Sequence, residues 1–141
     1  MIPDADASTA RDLLAMARQL LARASPETAG LWPRAAALLG RQALERSVDD
    51  YWAARKIPLE SCPTLQQLIC LREYHGDAEL AGRVHHAWSA LSRACHHHPY
   101  DLPPSAAELE SWLQTVEAWL AAASAPPPSP QGTSGARLKP R

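Results

Sequence analysis

Phenylalanine is absent from this chain, and valine and isoleucine supply only Val48, Val84, Val116 and Ile2, Ile57, Ile69. Sheets draw on β-branched and aromatic side chains, so a β-protein is disfavoured before any pattern is read. Cysteine is scarce as well. Cys62, Cys70 and Cys95 are odd in number and show no C-x-x-C spacing, so neither a disulfide framework nor a cysteine zinc motif is visible. Reduced thiols in a cytoplasmic setting are the simplest expectation. No apolar run reaches the ~18 residues of a membrane span, and no charged-then-apolar leader opens the chain, so a soluble protein without a membrane partner is expected. Nor does one sign of charge dominate. The 14 Lys and Arg face 15 Asp and Glu, for a net charge of −1. Three of the cations, Arg137, Lys139 and Arg141, lie at the C-terminal end, which leaves residues 1–123 net acidic. A strongly basic nucleic-acid scaffold is thereby excluded, whereas a local basic cleft is not.

What the chain does contain is Ala, Leu and Arg, all good helix formers. Its 141 residues allow one domain with a real core. Thr9 and Asp12 form a capping-box pattern ahead of Leu13, Leu14, Ala17, Leu20 and Leu21, which predicts a helix over 9–24. Pro33 suits a first helical turn, so a second helix runs from Trp32 to about Arg55, with Ala37, Leu44, Val48 and Tyr51 facing inward. Ile57-Pro58 is read as its stop. Ala36, Gly40 and Ala43 are small, so another helix can approach closely there. A third helix spans 63–74, with Leu65, Leu68 and Ile69 inward. Gly76 stops it and Asp77 caps the next. The fourth, over 78–97, carries the stripe Leu80, Val84, Ala87, Trp88, Leu91 and Cys95. Pro99 disfavours helical geometry at His98. Ser105 and Glu108 form a second capping box before Leu109, Trp112, Leu113, Val116 and Leu120. The expectation is an all-α, up-and-down bundle of four to five helices over 9–123. A flexible lead over 1–8 and a disordered, Pro-rich tail over 124–141 are expected to flank it.

All six histidines fall between positions 75 and 98, and His96, His97 and His98 are consecutive. At 100° per residue Arg93 lies nearly opposite Val84, so it points away from the core. His86 and His97 share its face. Imidazoles beside a fixed cation suit phosphate chemistry, because His moves protons near neutral pH and Arg stabilises phosphoryl oxygens. Two blander readings stand beside this one. The stripe is a solvated helix face, or the histidines complement the negative end of the helix dipole. A metal site is disfavoured, since contiguous histidines project in different directions and no pair here has the i, i+4 spacing of zinc helices. Cys70 and Cys95 are read as small apolar residues near the core.

The string from Arg93 through His98 to Tyr100 reads Arg-x4-His-x-Tyr at the end of a late helix in a small helical chain. In this it resembles the HEPN superfamily, and especially the toxins of HEPN/MNT toxin–antitoxin pairs. The resemblance in architecture covers about 8–123, and the motif eight residues. It implies a homodimeric bundle that brings two motifs into one cleft, and metal-independent endoribonuclease activity on RNA without a cofactor. By this resemblance Arg93 holds the scissile phosphate and His98 is the acid/base for attack by the 2′-hydroxyl. Tyr100 is the residue a partner nucleotidyltransferase antitoxin modifies. One position departs from the pattern: Ala94 stands where a polar residue is usual, so His96 or His97 would have to substitute. Many HEPN domains are non-catalytic RNA-binding or interaction modules, and that alternative stays open. For the dimer, the Arg93 face and the small residues Ala36, Gly40 and Ala43 are the two candidate contact surfaces.

Overall fold

In a computed structural model, residues 8–25, 27, 31–96 and 102–124 are described. Five helices account for most of them: α1 (Ala10–Ala22), α2 (Trp32–Ala54), α3 (Thr64–Tyr74), α4 (Ala78–Cys95) and α5 (Ala106–Ser124). The lead up to residue 7, the His97–Asp101 segment and the chain from 125 onward lie outside the described residues.

The polar punctuation in the sequence sets the helix starts. Thr9 Oγ1 accepts from the Asp12 N–H while the Asp12 carboxylate accepts from the Thr9 N–H, closing the capping box that starts α1. The Ser105–Glu108 pair does the same ahead of α5, and Asp77 accepts from the Leu80 N–H to start α4. The end of α2 has a different cause from the one the sequence points to. Ile57-Pro58 follows the stop rather than making it. The Lys56 N–H donates to Ala53 O and the Ile57 N–H to Trp52 O, with Lys56 at φ 55°. This is a Schellman closure whose left-handed residue is lysine instead of glycine. A Cβ in that region costs roughly 1–2 kcal/mol. Lys56→Gly is therefore expected to raise stability by about 1 kcal/mol in urea titration, and a loss of stability would show that Lys56 makes compensating contacts.

Helices α1, α2, α4 and α5 form the bundle, and α3 packs chiefly along α4. Side-chain neighbours fix the directions. Gly40 meets Leu113 and Leu91, Glu45 meets Trp88, and Ser47 meets Trp119, so α5 runs parallel to α2 and α4 antiparallel to it. Thr9 and Ala10 share a recess with Ala54 and Leu120, so α1 is antiparallel to both α2 and α5. The result is the expected up-and-down order, with α2 at its centre. Arg18 of α1 adds ion pairs to Glu110 and Glu117 of α5 on the surface, where such pairs contribute about 1 kcal/mol or less.

The core brings together Leu14, Ala37, Leu44, Val48, Leu68, Leu71, Val84, Leu91, Leu113, Val116 and Trp119. A Cβ on Gly40 would come within 2.8 Å of Leu113, so glycine there lets α2 and α5 close together. Ala36, Gly40 and Ala43 are all buried. They serve packing inside the chain and are not a contact surface for a second copy. Helix α3 also departs from expectation. Its buried residues are Gln67, Leu68 and Leu71, while Leu65 and Ile69 are about half exposed. Gln67 is buried in their place: its Nε2 donates to Cys62 O in the preceding loop, while its Oε1 has no hydrogen-bond partner among the described residues. In α5 the fully buried indole is Trp119, and Trp112 is only half-buried.

Candidate functional site

Arg93 lies in the last turn of α4, exposed as its position opposite Val84 requires. Beyond it the helix closes at His96, whose N–H donates to Arg93 O. The chain re-enters α5 through Leu102, Pro103 and Pro104 to the Ser105 cap. Because α4 and α5 are antiparallel, the end of one meets the start of the other. Between them opens a cleft of about 560 Å³, with walls from Ala90, Arg93, Ala94 and His96 of the α4 end, from 102–105, and from Glu108 and Trp112 of α5. Arg34, in the first turn of α2, completes it.

Among the described residues the lining carries two guanidiniums and the His96 imidazole against one carboxylate. That carboxylate is already engaged, since Glu108 Oε1 accepts from the Ser105 N–H and Oγ. The described lining is thus net cationic on a chain of net negative charge, and a concave wall of this kind raises the local concentration of anions. Arg93 also sits where a cation complements the negative end of α4, so its position has a structural cause as well.

Of the residues singled out in the sequence, the structure places Arg93 and His96 in the cleft. His86 is exposed on α4 and is not part of the cleft lining. His97, His98 and Tyr100 lie outside the described residues. Arg34 and Trp112 were missed as site residues. Arg34 carries no local motif, and Trp112 reads as part of an inward stripe. Ala94 packs partly against the core while touching the cleft, so it brings no polar group there.

His75 is the histidine with a well-defined structural role. It caps the end of α3, its Nδ1 accepts from the Asp77 N–H, and its ring packs on Tyr51 and Trp119. At the same end of the bundle, burial raises the Tyr51 phenol above its ordinary pKa. The Arg55 guanidinium over its ring opposes the shift, and Tyr74 adds to it.

The thiols separate in a way the sequence did not show. Cys70 is exposed, not packed near the core, while Cys62 and Cys95 are intermediate. Burial pushes the Cys95 thiol above its usual pKa, with Arg41 opposing and Glu45 reinforcing the shift. Thiolates are the reactive form, so Cys95 should react slowly with a disulfide reagent at pH 8 and accelerate only at higher pH. Cys70→Ser is expected to remove the fastest phase of labelling. Loss of that phase in Cys95→Ser instead would contradict the assignment. Among the described residues no group of three or more His, Cys, Asp or Glu is placed to hold a metal ion, and no helix is long and apolar enough to cross a membrane.

No protein-family model, curated protein or solved structure matches the chain.

Proposed function

We propose that this protein is an RNA-directed, HEPN-like endoribonuclease, acting as a homodimer and serving as the toxin of a toxin–antitoxin or defence system. The observation that carries the reading is the convergence of Arg93, Arg34 and His96 on one cleft at the point where the Arg-x4-His-x-Tyr string leaves α4. Arg93 would hold the scissile phosphate. His98 would take the proton of the 2′-hydroxyl as its oxygen bonds to phosphorus, and the bond from phosphorus to the 5′-oxygen would break as that oxygen takes a proton from water, giving a 2′,3′-cyclic phosphate and a 5′-hydroxyl. Positioned proton transfer of this kind contributes roughly 10²–10⁴-fold. Tyr100, two residues on, would be the point at which a nucleotidyltransferase antitoxin acts. His86, exposed on the same helix, and His97 would extend the basic surface toward a second copy.

Ala94 favours a second reading. The cleft lacks the polar residue usual after the motif arginine, which fits an RNA-binding or protein-interaction module without catalysis. One experiment separates the two. Purified protein is incubated with RNA in EDTA beside Arg93→Ala, and its mass is followed by light scattering at tens of micromolar. Cleavage that depends on Arg93, from a dimer, is the expected result. RNA binding without cleavage selects the module, and a monomer that leaves RNA intact and unbound removes both.

A further inference from the structure

The cleft has a component that anion binding alone does not require. Trp112 is half-buried, packed against the core on one side, and forms part of the cleft wall with Arg34 and Arg93. Leu102 and Pro103 extend the apolar surface. A bare phosphate gains nothing from an indole, whereas a nucleotide offers both an anion and a planar π-face. Every base has that face, so stacking on an aromatic side chain is tolerant of sequence. In a duplex the faces are hidden within the helix, and only unpaired nucleotides can present them.

We propose that the cleft selects unpaired nucleotides, with Trp112 as the surface on which a base stacks and Arg34 as a phosphate contact additional to Arg93. This rests on the reading of the cleft as an RNA site, and names the form of RNA it takes. Glu108 keeps its negative charge beside Ser105, but among the described lining residues Arg34 and Arg93 outnumber it. Trp112 is then a specificity-determining residue, and Arg34 contributes affinity without preference for any base.

The test uses the full chain and fluorescein-labelled 2′-O-methyl strands, which cannot be cleaved by attack of their own 2′-oxygen. Anisotropy compares a 12-nucleotide oligo(A), an abasic strand with the same number of phosphates, and a duplex of the same length. Wild type is expected to bind oligo(A) about tenfold or more tightly than either competitor. Trp112→Leu should collapse the ratio between oligo(A) and the abasic strand toward one, while Trp112→Phe should keep most of it. Arg34→Ala should weaken both strands alike and flatten the salt dependence. The ratio compares two ligands on one variant, so partial loss of folded protein does not imitate the effect. An unchanged ratio in Trp112→Leu, or equal binding of all three ligands by wild type, overturns the stacking role. The RNA site itself survives that result if Arg93→Ala still weakens binding. A wild type that binds none of the three overturns both.

Discussion

Arg93→Ala is expected to lower RNA cleavage in EDTA by roughly 10²–10³-fold, the range found when one donor to a developing oxyanion is removed. The same substitution should move stability by about 0.5 kcal/mol or less, because Arg93 is exposed and an exposed side chain outside a special contact carries little folding energy. A large activity loss with an unchanged unfolding midpoint is the signature of a site residue, and a structural residue would move both. His98→Ala should cost roughly 10²–10⁴-fold by removing the proton-transfer group. His97→Ala is the internal control, since it preserves the Arg-x4-His spacing. If His97→Ala abolishes activity and His98→Ala does not, the motif register is wrong and the helix face shared by Arg93 and His97 is the site. If all three variants keep full activity, the histidine run only complements the end of α4.

The largest effect on folding should come from Trp119→Ala, at about 3–5 kcal/mol. Trp119 is fully buried in α5. Its ring packs on Tyr51 at a centroid distance of 5.2 Å and on His75 at 5.5 Å, and its Nε1 donates to Ser47 Oγ at 2.9 Å. Alanine would leave a cavity where α2, α5 and the end of α3 meet, and would remove a donor from a buried hydroxyl. Against a total stability of about 5–15 kcal/mol this is enough to unfold much of the population. Trp119→Phe restores a ring without the donor and should cost less. Trp112→Ala should also cost clearly less than Trp119→Ala, because Trp112 is only partly buried whereas Trp119 is fully buried. Urea midpoints for the three variants provide the check. If Trp112→Ala proves the more damaging, the packing of α5 differs from that described.

Those two tryptophans mark where sequence reasoning reached its limit. Periodicity along α5 identified Leu109, Leu113, Val116 and Leu120 correctly, since they lie along the middle of one face. Trp112 and Trp119 lie seven residues apart on the same flank, so helical angle does not separate them, and which one is covered depends on the neighbour at its own level along the helix. Here Ser47 and Tyr51 of α2 cover Trp119, while the α4 end leaves Trp112 at a cleft. In α3 the obvious apolar residues Leu65 and Ile69 stayed outside, because the face that packs inward carries Leu68 and Leu71 with Gln67, whose Nε2 donates to the Cys62 carbonyl.

The sequence by itself determined the helical class, the capped starts at Thr9, Asp77 and Ser105, and the outward aim of Arg93, because caps and helical angle are local properties within four residues. It also supplied the closeness of α2 to its neighbours through Gly40, although not the identity of the neighbour. Only the tertiary structure decided that Ala36, Gly40 and Ala43 face inward, that Cys70 is exposed and Cys95 half-buried, and that Arg34 and Trp112 join Arg93. Those facts come from helices that are distant along the chain and meet because α4 and α5 run antiparallel beside the start of α2. A contact between distant residues leaves no spacing in one sequence from which to read it.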